Sequence, residues 1–138
     1  MKSQINKVKE FNLAFKSGYE EKPMLIDSSR YELRCRLMEE ETEEYLTACD
    51  NKDLVEIADA LGDQLYILLG TILNHGMQDI IEEVFDRIHE SNMTKLENGK
   101  PIINGQNGIF DSSRPLGKVL KPKTYKPVQL ADLVKNER

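Results

Sequence analysis

Residues 54–74 read LVEIADALGDQLYILLGTILN, and this stretch decides the fold. Its side chains are apolar on most sides, which is typical of a helix that is buried on most sides. Glu56, Asp59 and Asp63 interrupt it, and at about 100° per residue they lie within about 60° of one another on one face. An ionised carboxylate among buried apolar groups is costly unless a cation pairs with it. The pattern therefore predicts a buried helix whose acidic stripe lines an internal polar pocket.

Three more helices accompany this one. Apolar residues at helical spacing predict a first helix over about 3–16. Ser29, with a glutamate three residues later, forms a capping box that predicts a second helix ending near Cys49. Asp79 is expected to cap a fourth helix, which ends between residues 93 and 96. Four helices joined by mostly short connections indicate an all-α fold of the four-helix-bundle type.

The character of the chain changes after the fourth helix. Asn-Gly pairs and further glycines mark residues 97–138 as a turn-rich tail. Within it, residues 101–103 and 118–120 are candidates for a small β-hairpin. We predict a single domain over residues 1–138, with a helical body over about 3–96 followed by this tail.

Charge is distributed unevenly along the chain. Residues 1–94 contain ten Lys and Arg against twenty Asp and Glu, whereas residues 95–138 contain nine against four. The acidic body argues against nucleic-acid binding, and the basic tail suits a small anionic ligand. The chain has no run of 18 apolar residues and no signal peptide, so we expect a cytoplasmic protein with no membrane partner. Cys35 and Cys49 lack the spacing of a zinc site and are expected to be reduced.

A second acidic cluster precedes the buried helix, because five of the six residues 39–44 are glutamates. Helical phase divides this run into two groups. Glu41 and Glu44, with Glu40 beside them, continue the core-facing stripe of the second helix, and the other two glutamates face solvent. Two neighbouring helices thus direct at least four carboxylates at one place.

Clustered carboxylates with few histidines favour a hard divalent cation over zinc. We therefore predict Mg²⁺, with Mn²⁺ as a substitute. Carboxylate-bound Mg²⁺ commonly also takes phosphate oxygens from a substrate, which indicates phosphoryl chemistry. The helix over residues 54–74 needs more cover than so short a chain provides, so we also expect a homodimer or a homotetramer.

The acidic residues match the signature of a known superfamily. Glu40-Glu41-x-x-Glu44, followed by Glu56-x-x-Asp59, resembles the EExxE…ExxD pattern of the all-α nucleoside triphosphate pyrophosphohydrolases. That superfamily includes MazG-like enzymes, dimeric dUTPases and phosphoribosyl-ATP pyrophosphohydrolases. Glutamate-rich helices are common, so the pattern gains specificity from a second motif.

That second motif lies at the end of the fourth helix. His89 with residues 91–96 resembles the H-x-S-N-M-[ST]-K segment of a MazG-like branch. The tail around Lys118 and Lys121 resembles the hairpin tail of that branch. Residues 110–116 depart from the pattern, because they make this part of the tail longer than usual.

The resemblance implies Mg²⁺-dependent hydrolysis of a nucleoside or deoxynucleoside triphosphate to the monophosphate and pyrophosphate. The metal ligands that it implies are Glu41, Glu44, Glu56 and Asp59. The phosphate-binding residues that it implies are Asn92, Lys95, Lys118 and Lys121. Glu40 or Glu41 would remove the proton from a water that attacks phosphorus in line with the leaving pyrophosphate. Asp63 and Arg34 are additional candidates for the site.

Three alternatives stay open. A phosphoribosyl-ATP pyrophosphohydrolase of histidine synthesis would use the same acids, but the tail resembles the MazG-like branch better. A ferritin-like di-metal protein uses paired Glu-x-x-His motifs, whereas this chain has the unpaired Asp86-x-x-His89. A non-enzymatic helical metal-binding or interaction protein would release no pyrophosphate.

Overall fold

The computed structural model describes residues 1–135, which form five helices and no strand. The helices are α1 (Lys2–Ala14), α2 (Ser28–Asp50), α3 (Leu54–Asn74), α4 (Ile81–Met93) and α5 (Ala131–Val134). The predicted all-α class is therefore confirmed. Helix α3 has the bounds that the sequence predicts, because its periodicity and its flanking residues are local signals.

Aspartates cap the two helices that carry the acidic residues. The carboxylate of Asp53 accepts a hydrogen bond from the backbone N–H three residues later, at 3.1 Å. Asp27 caps α2 in the same way, at 3.0 Å. Ser29, the predicted cap, lies inside α2 and donates its hydroxyl to Asp27, because the charged carboxylate two residues earlier is the stronger acceptor. Asp79 lies in the turn before α4, which begins two residues after it.

Contacts divide the described residues into two compact units. The first comprises Met1–Ile81 with Val134 and Lys135, and the second comprises Glu82–Leu133. In the first unit α3 packs against both α1 and α2. Its core cluster consists of Ile5, Val8, Leu69 and Leu73. This division falls inside the predicted helical body, and the core of the first unit is formed by α1 and α3.

Two buried asparagines connect the turn after α1 to α3. Asn12 donates from Nδ2 to the carbonyls of Gly18, at 2.9 Å, and Gly70, at 3.3 Å. Asn74 donates from Nδ2 to the carbonyls of Ser17, at 3.1 Å, and Gly70, at 2.8 Å. Gly18 has a φ of 101°, and a Cβ there would collide with the Asn74 side chain. The turn therefore requires glycine, and the buried amides satisfy its carbonyls.

The second unit contains α4 and most of the tail. Arg87 on α4 pairs with Asp132, with 2.7 Å between Nη1 and Oδ1. The two segments predicted to form a hairpin do meet, since Ile103 and Val119 form an antiparallel bridge. The pairing is one isolated bridge, because prolines and glycines flank it and interrupt the ladder of hydrogen bonds.

One face of α3 is uncovered in the single chain. We define the leucine stripe as Leu54, Leu61, Leu65 and Leu68, whose exposed fractions range from 42% to 78%. At about 100° per residue these leucines share one side of the helix. By the same geometry, Glu56, Asp59 and Asp63 lie on the opposite side. Helix α3 thus separates an acidic face from an uncovered apolar face.

Candidate active site and metal centre

The acidic site lies between α2 and α3, which only residues 51–53 connect. Because the connection is short and the helices contact each other, they form an αα-hairpin. Ala48 and Ala60 are buried in this hairpin, with exposed fractions of 5% and 2%. Beside these small side chains lies a cavity of about 610 Å³.

Carboxylates dominate the lining of this space, which we call the acidic cavity. They belong to Glu40, Glu43, Glu44, Asp53, Glu56 and Asp59. Among the described residues that line it there is no lysine or arginine. Four predicted site residues, Glu40, Glu44, Glu56 and Asp59, therefore share one cavity. Like charges this close repel one another unless a cation or protons compensate them.

A tighter group adjoins the acidic cavity. Glu41, Glu44 and Asp63 place carboxylate oxygens within 4.8 Å of one another, and we call them the carboxylate triad. Glu44 belongs to both the triad and the cavity. Oε2 of Glu41 is buried and has no hydrogen-bond partner among the described residues. A buried polar atom without a partner carries a desolvation cost, which a cation or a proton would offset.

The surroundings of Glu41 and Asp63 raise the pKa of both carboxyls. The pKa of Glu41 is raised to about 7, mainly by burial, with added contributions from a hydrogen bond with Glu44 and from the negative charges of Glu44, Asp63 and Glu40. Burial also raises the pKa of Asp63, with added contributions from the charges of Asp59 and Glu44. Both causes penalise the ionised form. A divalent cation among these oxygens would reverse the balance, because metal ligands must be deprotonated.

The triad fits a divalent metal ion. Its donors are carboxylate oxygens from two different helices, and Glu41 also has a buried oxygen, Oε2, without a hydrogen-bond partner among the described residues. Hard oxygen donors suit Mg²⁺ or Mn²⁺. Glu56 and Asp59 add further carboxylates in the adjoining cavity.

The structure places the acidic residues more finely than the sequence does. Asp63, an additional candidate in the sequence, is a member of the triad, whereas Glu56 and Asp59 line the adjoining cavity. Asp63 lies seven residues after Glu56 and therefore on the same face of α3, and this spacing is the sequence signal that indicated Asp63 as a site residue. Glu43 also lines the cavity and is exposed there, although helical phase assigned it to the solvent face.

Arg34, the other additional candidate, lies two helical turns before Glu41 on α2 and is buried. Its Nε donates to Oγ1 of Thr71 at 3.0 Å, and its Nη2 donates to the carbonyl of Ile67 at 2.8 Å. Burial lowers its pKa. Within residues 1–135 it forms no ion pair. These contacts give Arg34 a structural part, which is to join α2 to α3 beyond the triad.

The predicted phosphate-binding residues belong to the second unit. Lys95, Lys118 and Lys121 line a cavity of about 320 Å³ together with Arg114 and Asp111, and we call it the basic cavity. Asn92 is exposed on α4 and is not among the residues that line it. Three of the four predicted residues thus share a cavity, and Arg114 is a cation that the sequence did not single out.

The carboxylate-bearing hairpin in an all-α chain is the arrangement expected of the MazG-like class. The family model described as phosphoribosyl-ATP pyrophosphohydrolase matches residues 8–92, more than half of the chain. The chain belongs to this family and hence to the MazG-like all-α superfamily of nucleotide pyrophosphohydrolases, as the sequence motifs predicted. Members of the superfamily generally depend on a divalent metal. No curated protein sequence matches the chain.

The extent of the match separates the two groups of site residues. Residues 8–92 include all of α2 and α3, so the carboxylates of the triad and of the acidic cavity lie inside the match. Lys95, Lys118 and Lys121 lie beyond it.

None of the helices formed by residues 1–135 is long and apolar enough to cross a membrane.

Proposed function

We propose that the protein hydrolyses a nucleoside or deoxynucleoside triphosphate to the monophosphate and pyrophosphate, as in the removal of unwanted nucleotides from the cellular pool. The reaction requires Mg²⁺, for which Mn²⁺ can substitute. The observation that carries the proposal is the carboxylate triad with its unpaired Glu41 Oε2, in a chain of the pyrophosphohydrolase family.

The acidic residues bind the metal and accept a proton. The proposed ligands are Glu41, Glu44, Asp63, Glu56 and Asp59. When bound, Mg²⁺ neutralises phosphate charge and so makes the phosphorus a better electrophile. Glu40, which lines the acidic cavity, or Glu41 accepts the proton of the attacking water. The water oxygen forms a bond to the α-phosphorus while the bond to the leaving pyrophosphate breaks.

The basic residues of the second unit bind phosphate oxygens in this proposal. Lys95, Lys118 and Lys121 share the basic cavity and provide compact positive charges that suit phosphate. Asn92 is exposed on α4 and adds an amide donor. The lysines offset negative charge that develops on the leaving pyrophosphate.

A second candidate substrate is phosphoribosyl-ATP, which the description of the matching family names. It presents the same triphosphate to the same acids and differs by an added phosphoribosyl group. We rank it second because the segment around residues 91–96 and the tail resemble the MazG-like branch.

We also propose that a second copy of the chain covers the leucine stripe, which gives a homodimer or a homotetramer. Leu54, Leu61, Leu65 and Leu68 follow the three- and four-residue spacing by which helices pair. Their combined exposure is unusual for a chain that acts alone.

A substrate panel tests the proposed activity. Pyrophosphate release is measured for each ribonucleoside and deoxyribonucleoside triphosphate and for phosphoribosyl-ATP, with Mg²⁺, Mn²⁺ or EDTA. Glu41→Gln is expected to lower kcat/KM by at least about 100-fold, because a metal ligand is lost. Glu39→Gln is the matched control, since Glu39 belongs to the same glutamate run but lines neither the triad nor the acidic cavity.

The outcomes separate the competing functions. Hydrolysis of an ordinary triphosphate supports the proposal, and hydrolysis of phosphoribosyl-ATP alone supports the second candidate. If no compound is hydrolysed, or if Glu41→Gln keeps full activity, the enzymatic proposal is wrong and a metal-binding or interaction protein is favoured.

A further inference from the structure

The basic cavity concentrates positive charge. Lys95, Arg114, Lys118 and Lys121 line it, with Asp111 as the acidic member. Within residues 1–135, none of these four cations forms an ion pair. Like charges gathered around one cavity destabilise a protein unless an anion compensates them, so this arrangement indicates an anion-binding site.

A buried side chain behind this cavity holds the segment that carries two of its lining residues, Asp111 and Arg114. Asn104 is 1% exposed, and its Nδ2 donates to the carbonyls of Asp111 and Arg114, both at 2.9 Å, and of Pro115, at 3.1 Å. Its Oδ1 accepts from the backbone N–H of Asp111 at 2.7 Å. One amide therefore fixes both ends of the turn that carries Arg114.

The backbone of Asn104 fixes the neighbouring lysine as well. Its N–H donates to the carbonyl of Lys118 at 2.9 Å, and its carbonyl accepts from Gly117 at 3.0 Å. Arg114 and Lys118 thus lie on two consecutive turns, and both turns are attached to Asn104. Arg114 belongs to residues 110–116, the segment by which this tail departs from the usual pattern of its branch.

An aromatic ring orients the other two cations. Lys121 Nζ lies 5.0 Å from the centre of the Tyr125 ring, and Lys95 Nζ lies 5.9 Å from it. The Tyr125 hydroxyl is within 3.3 Å of Ser91 Oγ on α4, which keeps the ring in place. Cation–π contact attracts both ammonium groups to one ring without neutralising them, so they remain available to an anion.

We propose that the basic cavity is a metal-independent binding site for the diphosphate group, with Arg114 as a binding residue and Asn104 as a positioning residue. The identity of the ligand rests on the proposed function, because pyrophosphate is the product of that reaction and also the terminal part of its substrate. A cavity of about 320 Å³ accommodates the volume of about ten water molecules at ~30 Å³ each, enough for two phosphate groups with some hydration. The guanidinium of Arg114 provides paired donors that match phosphate oxygens.

Calorimetric titration of the full chain with sodium pyrophosphate in EDTA tests this site. Wild type is expected to bind one pyrophosphate per chain, and at least tenfold more tightly than AMP. Arg114→Gln is expected to weaken pyrophosphate binding at least tenfold, and Arg114→Lys less than Arg114→Gln. Arg36→Gln is the matched control, because it removes an exposed cation of α2 that is outside the cavity.

The variant Asn104→Asp tests whether Asn104 positions the turn that carries Arg114. It keeps the acceptor for the N–H of Asp111 but loses the donors to the three carbonyls. Pyrophosphate affinity is expected to fall at least fivefold, while the helical circular dichroism stays near that of wild type, because the helices lie outside this turn. A variant that loses helical signal and affinity together would show that Asn104 supports the fold in general, and would overturn its positioning role.

The same titration separates this proposal from the proposed function. Glu41→Gln should bind pyrophosphate in EDTA as wild type does, whether or not any nucleotide is hydrolysed. If wild type fails to bind pyrophosphate at millimolar concentration, or if Arg114→Gln behaves like Arg36→Gln, the site is refuted even when hydrolysis is intact. If pyrophosphate binds and no nucleotide is hydrolysed, the anion site stands and the proposed function fails.

Discussion

The Nη2 atom of Arg34 lies 2.6 Å from the position that a Cβ atom at Gly70 would occupy. The guanidinium therefore uses the space left by a glycine to approach α3 and donate to the carbonyl of Ile67. Glycine in the middle of a helix usually costs stability. At Gly70 the cost is offset, because the close approach lets a buried arginine satisfy its donors.

Gly70→Ala is expected to lower the free energy of unfolding by about 1–3 kcal/mol, because the new methyl group displaces the guanidinium from its acceptors. Gly62→Ala on the same helix is the matched control, since a Cβ there meets nothing within 4 Å. That change should raise stability by up to about 1 kcal/mol through helix propensity. Chemical denaturation of both variants at one protein concentration measures the difference. Equal effects of the two substitutions would contradict the steric argument.

Asp63→Asn is expected to lower kcat/KM by at least about tenfold and to weaken activation by Mg²⁺, because Asp63 belongs to the carboxylate triad. Asp79→Asn, in the exposed turn before α4, is the control and should leave activity near wild type. Steady-state kinetics over a range of Mg²⁺ concentrations makes the comparison. An Asp63→Asn enzyme with normal Mg²⁺ dependence would remove Asp63 from the ligand set.

The metal-free protein is expected to lose stability as the pH rises through the pKa of Glu41. That pKa is about 7 in the folded protein against an ordinary value of 4.5. Between those values the folded state binds more protons than the unfolded state, so the free energy of unfolding falls with increasing pH. Glu41→Gln removes this ionisation. The measured quantity is the melting temperature of Glu41→Gln minus that of wild type, both in EDTA. This difference should be larger at pH 8 than at pH 5.

Added Mg²⁺ supplies the counterpart measurement. At pH 8 the metal should raise the melting temperature of wild type, because it binds the folded state, and should raise that of Glu41→Gln much less. A melting-temperature difference between the two proteins that does not change with pH would contradict the assigned environment of Glu41.

Disrupting the leucine stripe is expected to produce monomers. The double variant Leu61→Glu, Leu65→Glu places charge on the uncovered face, so pairing with a second copy becomes unfavourable. Lys7→Glu with Lys9→Glu on α1 is a control that also introduces two glutamates, outside the stripe. Light scattering coupled to size-exclusion chromatography measures the mass. A wild-type protein that is already monomeric at micromolar concentration would refute the proposed assembly.

Sequence alone predicted the features that depend on local signals. The bounds of α3 follow from apolar periodicity together with the cap at Asp53, and both signals lie within a few residues of the helix. The start of α2 was displaced because Asp27 competes with Ser29 for the same capping role. Competition between two adjacent candidates depends on backbone geometry, which residue types alone do not define.

The remaining features depend on contacts between distant residues. The place of Asp63 beside Glu41 requires the rotation of α3 relative to α2, and helical phase describes each helix separately. The role of Asn104 depends on hydrogen bonds from one side chain to a turn that begins seven residues later. Such bonds have no periodic pattern in sequence, so the support that Asn104 gives to the turn carrying Arg114 was not predictable.

The opposed faces of α3 have a thermodynamic consequence. Its acids line the candidate metal centre, and its leucine stripe, on the far side of the same helix, is the proposed contact with a second copy. If assembly orders α3, the metal-binding site of each copy is ordered at the same time, so assembly and metal affinity are linked reciprocally. Mg²⁺ would then lower the protein concentration at which the copies associate, and dilution of the protein would lower its affinity for Mg²⁺.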